Sequence, residues 1–262
     1  MEKIIKKDFL ITDYYVPHIV YETDDFAICF KPTNMPSAPL TPEEPHTLLS
    51  FFCNLRPEVR SVIGAKKSFE HGLLHRLDTM TTGLVLIAKK QSVYDSLLQA
   101  QNNNLFIKRY YAYCERKNKH DKVSTSEKRT HISSRFRAFG PGAKKVLPVF
   151  DITRQKKRIS RTVYTTHIIS IQKNNIQPKD EIFTVKVELS KGYRHQIRAH
   201  LQSINLPIIG DNLYNTNPSK YTLQLYATEL EFPLFSTMHN KMCRFRYRIY
   251  PPTSLLLLEP RD

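Results

Sequence analysis

Tryptophan is absent from this 262-residue chain and glycine occurs only seven times, shortages that carry no functional message. Cysteine is informative in its spacing. Cys29, Cys53, Cys114 and Cys243 are scattered with no C-x-x-C pair, which reads as free, mostly buried thiols in a reducing cytoplasm. No apolar run approaches the length that crosses a bilayer; near the end the longest is Leu255 to Leu258, so no membrane partner is expected. The start, Met1 to Lys7, is basic but runs into Asp8 without an apolar segment, unlike a secretory signal. There is no internal repeat, glycine-rich phosphate loop or dinucleotide fingerprint, and hence no sign of a small-molecule cofactor. Acidic residues are the last shortage, 24 against 40 Lys and Arg, a formal charge of +16. Such a balance favours a polyanionic partner and says nothing of the fold.

The length allows a sizeable core in one domain or a tightly joined pair. Residues 1 to 23 read as mixed and peripheral. Phe26 to Phe30 is a compact apolar strand, ended by Lys31-Pro32 and a proline-rich loop reaching Pro45. Helices are expected over His46 to Phe52, over Ser92 to Asn103 with Ser92 as N-cap, and from His195 to about Ile204. Strands are expected at Leu84 to Ala88, at the aromatic-rich Ile107 to Cys114, and at Phe183 to Leu189, where apolar and polar residues alternate. Alternation recurs where Cys243, Phe245, Tyr247 and Ile249 interleave with Arg244, Arg246 and Arg248. That row of guanidiniums would either guard a sheet edge or grip phosphates. Residues 128 to 161 are the most basic stretch, with eleven Lys and Arg, Lys156, Lys157 and Arg158 among them, against the single acid Asp151. We read it as an RNA-facing insertion, because so much like charge repels itself unless a polyanion relieves it.

The most specific stretch is 71 to 90. His75-Arg76-Leu77-Asp78, then Thr82-Gly83-Leu84, precedes the apolar run. Asp78 alone would be an Asx-turn entering a strand, since Asp and Thr bond their own backbone. The whole string, however, resembles the H-R-L-D-x-x-T-(S/T)-G-L signature of the RluA-type pseudouridine synthases. Gly192-Tyr193-Arg194-His195-Gln196-Ile197-Arg198-Ala199-His200-Leu201, followed by Pro207-Ile208-Ile209-Gly210-Asp211 and Tyr214, resembles a second motif of that family, G-R-x-H-Q-I-R-x-H-L…P-I-x-G-D-x-x-Y. Lys108-Arg109-Tyr110-Tyr111-Ala112 matches K-x-Y-x-A, and Lys31-Pro32 with Asn34 stands near K-P-x-G. Asn34 replaces the usual Gly but tolerates the left-handed turn.

The resemblance spans about residues 24 to 232 and implies an α+β pseudouridine synthase fold: a mixed, largely antiparallel sheet with surrounding helices and loops. One catalytic domain over 1–262 is expected, with no preceding RNA-binding domain of the S4 kind. The implied reaction breaks the N-glycosidic bond of a uridine and re-attaches the base through carbon, with no metal or cofactor. Asp78 would be the nucleophile at ribose C1′ or base C6, or would assist elimination of the base. Arg198 would pair with it, and Tyr110 would stack on the base and serve the final deprotonation. Arg76, His75, Arg194, His195, Lys156, Lys157 and Arg158 would contact RNA, ribosomal or transfer, with Arg76 filling the vacated space or holding the displaced strand. A monomeric cytoplasmic enzyme is expected. Two other readings remain: a non-catalytic RNA-binding or chaperone protein, and a metal-dependent nuclease. His71, His75 and Asp78 make a poor metal set, because Gly72 interrupts any helix aligning them and no further ligand pair completes it.

Overall fold

A computed structural model describes residues 3–116, 130–151, 153, 159–174, 181–217 and 219–252. Its strands in chain order are β1 (Lys3–Phe9), β2 (His18–Glu22), β3 (Phe26–Lys31), β4 (Thr82–Ala88), β5 (Ile107–Glu115), β6 (Thr130–Phe139), β7 (Lys145–Val149), β8 (Tyr164–Asn174), β9 (Ile182–Leu189), β10 (Leu225–Ser236) and β11 (Lys241–Ile249). The α-helices are α1 (Leu48–Leu55), α2 (Gln91–Asn102) and α3 (Gln196–Ser203). The architecture is α+β. The chain forms two compact units, residues 3–108 with 226–251, and residues 109–225 with 252.

In the first unit β3 is antiparallel to β2 and β4, β4 is parallel to β10, and β11 lies antiparallel to β10 and parallel to β1. Every residue of β3 and β4 is buried, which is why both read as unbroken apolar runs rather than alternating ones. Phe26, Ile28, Phe30, Leu84, Leu86, Phe232 and Tyr247 form the core with Leu97 of α2. Gly83, at φ 132°, is required where β4 meets β10, because a Cβ there would come within 2.2 Å of the Ala227 carbonyl oxygen. Helix α1 begins later than expected, since His46 has φ 63° and the Thr47 hydroxyl caps the helix by accepting from the Ser50 amide. Helix α2 starts at Gln91 with Lys90 at the cap and no capping side chain, so Ser92 lies inside it. The guanidinium row of β11 is not an edge, for β1 and β10 flank it. Arg246 and Arg248 are held by Glu231 and Glu229 at 2.7 and 2.6 Å.

In the second unit the strand order is β5-β9-β8-β6-β7. Helix α3 lies on one face. Its His200 bonds Ser134 of β6 and Thr166 of β8, each at 2.8 Å, and Gln196 donates to Thr166 at 3.0 Å. Phe136, Val146, Ala199 and Tyr214 form a core cluster beneath it. The basic stretch is built into the sheet over its described part rather than standing out as an insertion. Strands β6 and β7 pair antiparallel, and β6 continues against β8. Lys156, Lys157 and Arg158 lie outside the described residues.

Candidate active site

Asp78 sits at the tip of a reversal whose two arms belong to one stretch of chain. Residues 72 to 74 fold back along β4: Ala88 N–H donates to Gly72 O at 2.8 Å and Leu74 N–H to Leu86 O at 3.3 Å. Gly72 is obligatory here, since a Cβ would overlap the Ala88 carbonyl oxygen at 1.8 Å. A main-chain bond from Thr81 N–H to Asp78 O, 3.0 Å long, closes the turn itself.

The loop after β3 grips this turn from outside. The Ser37 hydroxyl, buried, donates to Leu77 O and accepts from Leu77 N–H, both at 2.9 Å. Thr33 donates to Met80 O at 3.0 Å. Lys31 is wholly buried and its ammonium donates to Pro32 O, Met35 O and Thr79 O at 2.9, 2.7 and 3.0 Å. Burial pulls the Lys31 pKa down to about 7, while the nearby charge of Asp78 pushes it up. The protonated amine supplies three N–H donors for the three carbonyls, and the neutral amine that takes over above about 7 supplies two. Asn34 adopts the left-handed turn at φ 60°, as the sequence led us to expect. Leu77, Asp78, Thr79 and Met80 thus have their backbone fixed on both sides.

The neighbours of Asp78 divide. Arg76 is half exposed and pairs with the buried Glu70 at 3.3 Å. His75, expected on RNA, is instead buried. Its Nε2 accepts the Leu86 amide at 3.2 Å, and its ring lies 5.3 Å from that of Phe106. Burial, with the Lys108 charge second, holds His75 well below its usual pKa and therefore neutral, so it props the loop against β4.

In the second unit Arg198, on the buried side of α3, forms a two-pronged pair with Asp211. Nε donates to Oδ2 and Nη2 to Oδ1, each at 2.8 Å, with both side chains buried. Asp211 Oδ1 also accepts from the Leu213 and Tyr214 amides at 3.0 and 3.1 Å, so the carboxylate fixes its own turn. Gly210, at φ 75°, makes that turn possible, because a Cβ would meet the Thr222 carbonyl oxygen at 2.1 Å. The Tyr214 ring lies 5.2 Å from the guanidinium, and its hydroxyl bonds both the amide and the carbonyl of Val146. His195 enters α3 in the left-handed region at φ 55° and reaches Tyr214 Oη at 3.1 Å. Arg194 donates to the carbonyls of Ala143 and Lys145 in the β6–β7 connection.

Tyr110 is buried on β5. Its strand neighbours Arg109 and Tyr111 point the other way, to Glu188 (2.7 Å) and beside Lys186 (5.0 Å to the ring). Tyr110 therefore faces the side of the sheet that α3 covers, the side of Arg198.

A model of the RNA pseudouridylate synthase family matches residues 25–203, a span that holds the Asp78 turn, Tyr110 and Arg198. The chain belongs to that family. It is 26% identical over 259 residues to the ribosomal large subunit pseudouridine synthase D of Blochmanniella floridana, covering 98% of this chain and 70% of that protein. An uncharacterized RNA pseudouridine synthase of Helicobacter pylori is 28% identical over 219 residues, 82% of this chain and 61% of that one. The chain thus spans about two thirds of the length of these two relatives. Among solved structures, human RNA pseudouridylate synthase domain containing 1 superposes with a TM-score of 0.61 at 18% identity, covering 85% of this chain and 81% of that one. Domain containing 4 gives 0.59 at 17%, covering 91% and 90%. The fold is the pseudouridylate synthase fold.

Sequence reasoning about individual roles passed over Thr33, Ser37 and Asp211. Asp211 stood in the quoted motif, but spacing alone does not reveal that its carboxylate takes one side of the Arg198 fork. Ser37 carries no pattern at all, since its role exists only once the loop has folded onto Leu77. No helix among the described residues is long and apolar enough to cross a membrane.

Proposed function

We propose that this protein is an RNA pseudouridine synthase that isomerises particular uridines of structured RNA, ribosomal or transfer, through Asp78. The observation that carries the reading is the clamp on residues 77 to 80. Four buried or half-buried hydrogen bonds from Lys31, Thr33 and Ser37 hold the backbone on either side of one carboxylate. Such rigidity is what a nucleophile needs and a solvated turn does not.

In this reading Asp78 acts as the uridine N1–C1′ bond breaks, attacking C1′ or C6 or assisting departure of the base. The base then turns and bonds C1′ through C5, and the proton on C5 leaves. Electrons balance without a redox partner or metal. Arg198 pairs with the Asp78 carboxylate during the reaction and keeps it ionised. Tyr110 stacks on the base and accepts the C5 proton. Arg76 fills the space a flipped uridine leaves, and Arg194, His195, Lys156, Lys157 and Arg158 serve the phosphates. The relatives named ribosomal large subunit pseudouridine synthase D make large-subunit ribosomal RNA the first substrate to assay. We place the protein in the cytoplasm as a monomer, in keeping with four buried, unbridged cysteines.

The test is tritium release from RNA carrying 5-tritiated uridine. Asp78→Asn should abolish release while RNA affinity stays within a few-fold of wild type, because binding is spread over many cations. Substantial turnover by the Asn protein would remove Asp78 from its role. In excess EDTA the wild type should keep its activity, and the RNA should emerge uncut with or without the chelator; cleavage that EDTA abolishes would favour the nuclease reading.

A further inference from the structure

We propose that the second unit carries a separate platform for single-stranded RNA on the sheet face turned away from α3. Strand alternation defines that face. Ser134 and Phe136 of β6 and Thr166 of β8 meet the helix, so their strand neighbours point outward. Across four adjacent strands this outward face presents Tyr111 of β5, Lys186 of β9, His167 of β8, and His131, Arg137 and Phe139 of β6. Lys186 Nζ lies 5.0 Å from the centre of the Tyr111 ring, Arg137 lies 5.4 Å from that of Phe139, and the two imidazoles are 6.2 Å apart. Phe139, His131 and His167 are exposed.

The chemistry favours a nucleic acid strand over an acidic protein surface. Two cations rest against aromatic rings rather than carboxylates, so their charge remains available to phosphates, while Glu188 of the same face is held by Arg109 at 2.7 Å. Flat rings interleaved with cations on an open sheet stack bases and track the backbone together. From Lys186, level with Ser170 of β8, past the paired His167 and His131 to Phe139, the row runs along the strands for about 36 Å, room for several extended nucleotides. A duplex keeps its bases stacked on one another and gains only the charge, so the face selects single strands. The inference rests on RNA being the partner proposed above, and places a second contact on the sheet face opposite Tyr110 and α3.

Fluorescence anisotropy with the intact protein tests it, using labelled oligouridylate of about ten nucleotides and a blunt RNA duplex of equal length. Tyr111→Ala and Phe139→Ala should each weaken oligouridylate binding about tenfold and leave duplex binding unchanged. Tyr111→Phe should bind as wild type, and Lys186→Ala should lower the logarithmic salt slope by about 0.7. Wild-type affinity in both Ala variants would overturn the platform, as would equal losses on single and double strands or a loss that follows a fall in melting temperature. Intact oligouridylate binding in a protein that forms no pseudouridine would sink the catalytic reading alone. Normal tritium release with ring variants of unchanged affinity would sink this one alone.

Discussion

Replacing Asp211 by Asn isolates what the buried ion pair does, because the shape of the side chain is kept. In the native protein the carboxylate accepts four bonds: two from Arg198 at 2.8 Å and two from the Leu213 and Tyr214 amides. The asparagine carbonyl can take the place of Oδ1 and keep three of them. The amide nitrogen then replaces Oδ2 and faces Arg198 Nε, donor against donor, and the guanidinium loses its buried counter-charge. Breaking one partner of a buried pair costs about 3–5 kcal/mol. For a chain of this size that corresponds to a fall of about 6–20 °C in melting temperature. Thermal unfolding followed by circular dichroism reads this directly, and salt should restore little of it, because the pair is sheltered from screening. A double-mutant cycle with Arg198→Met completes the test. Once the cation is gone, Asp211→Asn should cost much less, giving a coupling energy above about 1 kcal/mol. A single Asn variant melting within about 2 °C of wild type, a shift worth under about 1 kcal/mol, would refute the reasoning.

Arg198→Lys should lower turnover more than about tenfold, an effect of roughly 1.4 kcal/mol, because one ammonium cannot reproduce the two-pronged contact; tritium release at saturating RNA reads it. Lys31, held to about 7, sheds its proton in the native state while the unfolded chain keeps it up to about 10.5. The unfolded state binds more protons in that window, so stability should rise with pH from about 7 to 10.5, and Lys31→Met should flatten the rise measured by urea unfolding. Burial pulls His200 down to about 4, so between that value and the 6.5 of the unfolded chain the native state is again the one with fewer protons. Stability should therefore fall on acidification through that window, and His200→Gln should remove this share of the loss.

The parts legible in the sequence were those decided locally. Phe26 to Phe30 and Leu84 to Ala88 announced themselves because both strands are buried on both faces, and the alternation of Phe183 to Leu189 matches the buried-and-open pattern of β9. The Asp78 string and the α3 motif were readable as strings, whereas the fork between Arg198 and Asp211 was not. Other strands were passed over for physical reasons. Lys3–Phe9 has five mostly polar, exposed positions and is a strand because β11, far along the chain, pairs with it. In β10 burial is almost continuous through Pro233, so neither alternation nor composition marks it. His75 misled because a histidine in a polar string looks solvent-facing, while its imidazole is spent inside on Leu86.

The parallel pairing of β1 with β11 also sets an order of assembly. Its partners, such as Lys3 and Cys243, stand 240 positions apart, so closing that loop from a disordered chain costs about 5 kcal/mol of entropy. The reversal around Asp78 joins Gly72 to Ala88, only 16 positions apart, at about half that cost. On a ribosome, β3, β4 and the loop that grips residues 77 to 80 emerge together and can settle early. The first unit meanwhile waits, with β1 unpaired and Gly83 without its strand partner Ala227, until the chain past residue 226 has been made. Slow decoding between β9 and β10 would prolong the life of those open strand edges, and with it the window for aggregation.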